Sequence, residues 1–196
     1  QNNTRISAHG YSEIYEKYFL LKKNDHLNIL EIGSFYGNAA AALYYYFKNS
    51  KIYSADIFPD LFRYSSERIK NFYLDSSSEN SLKNKLISKN IFYDIIIEDA
   101  SHSFKDQIIS LFMLFKKVSP KGLFIIEELD FPEKRKDMNL KNEYPSLKQI
   151  LIDIKNSKNF DSKYINDSDK KYFLDNFKTI QVFNGKINEI AIIEKK

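Results

Sequence analysis

Four side chains stand out by type and spacing. Asp99 and His102 lie at the end of Ile95-Ile96-Ile97-Glu98-Asp99-Ala100-Ser101-His102, and Glu127 and Glu128 end Leu123-Phe124-Ile125-Ile126-Glu127-Glu128. Each group of acids follows a short apolar run rich in β-branched residues, the composition of a strand buried on both faces. The acids are therefore expected at the ends of two strands of one sheet. Carboxylates gathered in a partly buried cleft repel one another, and protonation or a bound cation relieves that repulsion. An all-oxygen set of Asp99, Glu127 and Glu128 suits Mg²⁺, with Mn²⁺ or Ca²⁺ as alternatives. His102 is the candidate general base beside it. Consecutive strand residues point to opposite faces, so Glu127 and Glu128 share one ion only where the chain bends. His9 and His26 have no comparable company.

A second constellation begins at Glu31-Ile32-Gly33-Ser34-Phe35-Tyr36-Gly37, between an apolar run and a helical stretch. Gly33 would allow a sharp turn and the close approach of a ligand, and Gly37 would pack the helix start against the strand. A pyrophosphate fingerprint needs G-x-G-x-x-G, and Phe35 and Asn38 stand where glycines are required. Asp56, roughly twenty residues beyond the turn, is placed to accept hydrogen bonds from both hydroxyls of a ribose. Asp75-Ser76, after a weak third strand, could hold an adenine amino group, which makes a nucleoside the expected ligand.

These residues need a scaffold of alternating strands and helices, and the chain supplies one. Strands are predicted at 28–32, 51–55, 71–74, 93–97 and 123–126, and helices at 39–47, 61–70, 82–88 and 105–117. Ser119-Pro120-Lys121-Gly122 reads as the turn closing the last of these helices. Residues 129–144 are polar and aperiodic, the pattern of a lid loop. A helix is expected from Tyr144-Pro145 to about Lys158, and strands 178–183 and 188–194 flank the hairpin signal Asn184-Gly185. The expected fold is α/β and Rossmann-like: a doubly wound, mostly parallel seven-stranded sheet with an antiparallel C-terminal hairpin. With 196 residues, 43% of them hydrophobic, residues 1–196 are expected to form a single domain, with 1–25 as a helical lead-in.

There is no cysteine, which excludes disulfides and thiolate chemistry and fits a reducing compartment. No stretch has the length of a membrane span and residues 1–25 lack the features of a signal peptide, so a cytoplasmic location is expected. The net charge of +4 raises nucleic acid as a partner. The basic residues are interspersed with acids, however, as in Glu133-Lys134-Arg135-Lys136-Asp137, which reads as a solvated surface.

The segments ILEIGSFYGNAAAAL, YSADIFPD, NFYLDSSSENSL and above all IIIEDASHSFKDQ with GLFIIEEL resemble class I S-adenosylmethionine (SAM) methyltransferases. The resemblance is greatest to the metal-dependent macrolide-sugar O-methyltransferases of the mycinamicin and macrocin type, with the cephalosporin-hydroxylase-like group near them. HGYSEIYEKYF is similar to that family's lead-in helix. The chain departs from the pattern at Phe35, where many methyltransferases carry Gly, and at residues 4–7, where the family often has an Asp-Lys pair. The resemblance implies a SAM site over Glu31, Gly33, Ser34, Gly37, Asp56, Ile57, Asp75, Ser76 and Asp99. It also implies Mg²⁺ on Asp99, Glu127 and Glu128, and catalysis by His102 with Asp99. The implied acceptor is a hydroxyl of a sugar or similar polyhydroxylated small molecule, and an assembly of several copies is expected by analogy. A nucleic-acid methyltransferase lacks support from an N/D-P-P-Y/F motif, and a non-catalytic SAM-binding homologue is the third reading.

Overall fold

The computed structural model describes residues 9–196. Residues 1–8 of the lead-in, including the 4–7 departure, lie outside the described residues. Seven strands form one sheet in the order β3-β2-β1-β4-β5-β7-β6. They are β1 Asn28–Ile32, β2 Lys51–Asp56, β3 Ile69–Tyr73, β4 Tyr93–Glu98, β5 Val118–Ile126, β6 Phe177–Asn184 and β7 Glu189–Lys195. Strands β1 to β5 are parallel; β7 runs antiparallel to β5 and β6 antiparallel to β7. The expected Rossmann-like α/β sheet with its C-terminal hairpin is thus present. The chain order reverses between β1 and β4, and in an open sheet of this kind the crevice beyond the carboxyl ends of those strands is where ligands bind.

Side chains alternate across the sheet and build two cores. Ile29, Ile95, Ile97, Leu123, Ile125 and Ile192 face one side, packed by α1 (Ser12–Phe19) and α2 (Asn38–Tyr46). Leu30, Ile32, Ile96, Phe124, Ile126 and Ile193 face the other. That side is covered by α3 (Glu79–Leu82), α4 (Phe104–Leu114), α6 (Leu147–Lys155) and α7 (Asp167–Asn176), and between β5 and α6 lies the short α5 (Phe131–Lys134). Helix α4 is apolar nearly all round and starts where Ser103 accepts a hydrogen bond from the Asp106 backbone. Fully burying each of its Ile, Leu and Phe side chains contributes about 1.5–3 kcal/mol, so this helix anchors the His102 loop that precedes it.

Three local expectations are corrected. Residues 61–70 form no helix: after a single turn at Pro59–Leu61 the chain is irregular until β3 begins at Ile69. Their apolar spacing serves packing instead, since Phe62 lies against Gly37 and the Arg63 guanidinium stacks on Tyr36 at 3.8 Å. Arg68 donates to the carbonyls of Tyr44, Phe47 and Ser50. Ser119-Pro120-Lys121-Gly122 is not a closing turn but lies within β5, accommodated by a register shift against β4. Residues 129–144 are not wholly loop, because α5 and a turn at Lys136–Met138 fold within them and Leu129 and Asp130 are buried. Among the described residues no helix is long and apolar enough to cross a membrane.

Candidate active site

The predicted strand-end residues lie at the carboxyl ends of the parallel strands β1 to β5. Gly33 follows β1 with φ +95°, and a Cβ there would lie 2.0 Å from the Asp99 carbonyl oxygen. The close approach that requires glycine is made by the chain itself, at the loop after β4, as well as by any ligand above it. Gly37 has φ +82°, and its missing Cβ is the space occupied by the Phe62 ring, not by the strand. Gly33, Asp56, Ile57, Asp75, Ser76 and Asp99 line one cavity of about 340 Å³.

Within it, Asp56 accepts from the backbone N–H of Phe35 (2.7 Å) and of Phe58 (2.8 Å). A carboxylate offers about four acceptor positions, which leaves about two for a diol. Asp75 accepts from the Ser77 backbone N–H and hydroxyl, fixing the loop around Ser76. Phe35 holds φ +45°, a strained value for a side chain of its size, and lines the same cavity half exposed. Ser34 is buried below, with its hydroxyl toward the carbonyls of Glu31 and Ala55. Glu31 points to the opposite face and lines a second cavity of about 280 Å³ with Tyr15, Phe19, Leu43 and Glu127. Six of the nine predicted cofactor residues therefore share one cavity, Glu31 lines its neighbour, and Ser34 and Gly37 shape the turn between them.

The acid cluster divides in two. Asp99, His102 and Glu128 are buried and place one potential ligand atom each within 4.8 Å of one another, a grouping that fits a divalent cation. His102 Nε2 donates to Glu128 Oε2 at 2.6 Å and lies 3.6 Å from Asp99 Oδ1. Glu127 goes the other way and accepts a very short hydrogen bond from the Tyr15 hydroxyl. The chain does bend here, with Glu128 at φ +53°, but the bend sends the two carboxylates to different partners. Tyr15 is buried among Glu127, Asp99 and Glu31; burial and then the Glu127 charge hold its hydroxyl far above its ordinary pKa.

His102 sits at φ +54° with the Phe131 ring edge-on at 5.3 Å. Burial opposes its charge, but the hydrogen bond to Glu128 and the negative charges of Asp99 and Glu98 outweigh this, raising its pKa above the usual imidazole range. His9, set aside in the sequence as lacking comparable company, was missed as a partner of this cluster. Its Nδ1 lies 3.3 Å from Glu128 Oε1, which Asn188 also approaches, so Glu128 is held between two histidines. Tyr15 was overlooked likewise, and neither has a local signal, because both come from the N-terminal segment packed against the strand ends.

Glu98 lies fully buried beneath His102. Burial, partly offset by the nearby imidazole, raises its pKa from 4.5 to about 7. A carboxyl whose folded pKa lies above its unfolded one contributes its full stability below about pH 4.5 and loses it as the pH rises to about 7. Glu98→Gln, which cannot ionise, is therefore expected to stabilise the protein near pH 8 by on the order of 2–3 kcal/mol and to be nearly neutral near pH 5. Urea denaturation at both pH values measures this, and an equal effect at the two would contradict it.

No family model matches the chain. It is 28% identical over 130 residues to demethylmacrocin O-methyltransferase of Streptomyces fradiae, covering 63% of this chain and 32% of that protein. It is 29% identical over 128 residues to 8-demethyl-8-alpha-L-rhamnosyl tetracenomycin-C 2'-O-methyltransferase of Streptomyces olivaceus, covering 62% and 33%. The chain is therefore similar to about a third of the length of these curated relatives. Among solved structures, the MycE methyltransferase of the mycinamycin biosynthetic pathway, in complex with Mg, SAH and mycinamycin VI, superposes with a TM-score of 0.70. The match covers 94% of this chain and 49% of MycE at 21% identity. The fold is that of the class I methyltransferases. The two cavities lie about the Gly33 turn, one lined by residues that follow β1 to β4 and the other by Glu31, Glu127 and residues of α1.

Proposed function

We propose that the chain is a SAM-dependent O-methyltransferase that methylates a hydroxyl of a sugar or similar polyhydroxylated small molecule with the help of a divalent cation. The observation that carries this reading is the junction of the cavity lined by Gly33, Asp56 and Asp75 with the Asp99–His102–Glu128 cluster at Asp99, which belongs to both. Both curated relatives named above are O-methyltransferases, and the substrate in the name of one carries a rhamnosyl group, which supports the acceptor class.

The two ends of SAM match the two cavities chemically. Asp56 offers remaining acceptor positions to the ribose hydroxyls, and Asp75 and Ser76 stand where the adenine would lie. Glu31, in the neighbouring cavity, complements the positive charge of an α-ammonium group. SAM supplies a methyl on an excellent leaving group, so the protein must hold the acceptor oxygen in line and take its proton.

Asp99 and Glu128 would hold the cation, and Mg²⁺ fits their hard oxygen donors. When bound, it supplies charge that lowers the pKa of a hydroxyl resting on it. With those two carboxylates so engaged, the His102 proton would be held less tightly, and the imidazole would be able to accept one from the acceptor hydroxyl. Glu127 keeps its partner Tyr15 and contributes negative charge from the far side of the cluster.

Calorimetry with S-adenosylhomocysteine (SAH), with and without Mg²⁺, tests the reading directly; no binding under either condition would end it. Asp99→Asn is expected to weaken the response to Mg²⁺ about tenfold or more, because one of the ligand charges is removed. A methyl-transfer assay titrated with Mg²⁺ measures this, and an unchanged half-saturation would rule out Asp99 as a ligand.

A further inference from the structure

A cleft of about 540 Å³, larger than either cavity above, includes in its lining a residue of the helix that follows His102 and has no part in the chemistry described so far. Its apolar lining is aromatic, with Phe104, Tyr144 and Tyr164, and its polar lining is Asp153, Asn159 and Asp161. Tyr144 is 77% exposed, so its ring is open to a ligand. Phe104 meets Tyr164 edge-on at 6.2 Å and lies two residues beyond His102. On the opposite side, the segment that leaves Glu128 packs Phe131 on His102 and ends at Tyr144. The cleft and the acid cluster thus share both of their connecting segments.

The composition selects among ligand classes. Lys163, the one cation in the lining, pairs with Glu143 at 3.1 Å and lies over the Tyr164 ring, while Tyr164 donates to the same carboxylate at 2.7 Å. Asp153 and Asp161 then leave the surface negative, which disfavours phosphates and nucleic acid. A purely apolar ligand would leave the polar lining, Asp153, Asn159 and Asp161, with no matching group on the ligand side. Planar carboxylate and amide groups bind neighbouring hydroxyls in pairs, and an aromatic ring packs against the C–H face of a pyranose.

We propose that this cleft is a carbohydrate subsite. It holds a neutral sugar unit joined to the one being methylated, so that the acceptor is a glycan of two or more units rather than a free monosaccharide. This rests on the sugar O-methyltransferase reading and goes beyond it by assigning a second place where the acceptor is held.

The test is saturation-transfer NMR and calorimetry on the whole chain with neutral trisaccharides (maltotriose, cellotriose and chitotriose) and their monosaccharides, with SAH binding measured in parallel. At least one trisaccharide is expected to bind about tenfold more tightly than its monosaccharide. Tyr144→Ala and Asn159→Ala, both at exposed positions, should each weaken that binding about fivefold and leave SAH affinity unchanged. If SAH binds but no trisaccharide does, or if neither variant weakens the glycan, the subsite is overturned. If SAH itself fails to bind, the underlying methyltransferase reading falls instead.

Discussion

Gly33→Ala is expected to cost more than about 4 kcal/mol, a large share of the roughly 5–15 kcal/mol by which domains of this size are stable. Two costs combine. The backbone at φ +95° is one that residues with a Cβ rarely adopt, a strain of about 1–3 kcal/mol. The added methyl would also lie 2.0 Å from the Asp99 carbonyl oxygen, 2.5 Å from its carbon and 2.7 Å from the Ala100 Cα. None of these can move alone, because the Asp99 N–H is bonded to the Ile32 carbonyl at 2.9 Å and β4 is paired along β1. Gly37→Ala is the informative control: its φ is similar, but the atoms in the way belong to the Phe62 ring, which can swing aside. Urea denaturation should show Gly37→Ala much the milder of the two. Gly33→Ala within about 1 kcal/mol of the wild type would refute the account.

That prediction also marks where sequence reasoning stops. A glycine after an apolar run announces a turn, but whether ligand or backbone fills the space beside it depends on which strand lies next to β1. The strand ends were legible because buried parallel strands are continuous apolar runs, and so Asp56, Asp99 and the Glu127-Glu128 pair could be placed by counting. The direction of a side chain at a bend was not legible, and Glu127 and Glu128 part company at one backbone angle. His9 and Tyr15 reach the cluster from more than a hundred residues away in the chain, through a helix whose packing no local pattern reveals. Helix α7 was missed for a different reason. Its buried positions are only Asp169 and Phe173, too narrow a stripe to show as periodicity, although Asn166 three residues before Asp169 is a usable capping signal.

His102→Ala should reduce methyl transfer by about 10²–10⁴-fold, the range for removal of a positioned general base, while SAH affinity stays close to that of the wild type. The separation follows from position. His102 is absent from the lining of the cavity that holds Asp56 and Asp75, which the loop reaches only through Asp99, Ala100 and Ser101. Its imidazole instead contacts Glu128 and faces Asp99, on the side of the cluster bordered by Phe131. The variant also removes the proton that Glu128 and Asp99 hold between them, so the two carboxylates gain unrelieved repulsion, and the variant's stability should rise with added Mg²⁺ more than that of the wild type. Activity assays, SAH calorimetry and melting curves with and without Mg²⁺ separate the outcomes. Retained turnover would remove His102 as the base, whereas lost SAH binding would show that its loop shapes the cofactor site. Only loss of transfer with cofactor binding intact assigns the imidazole to the proton rather than to the fold.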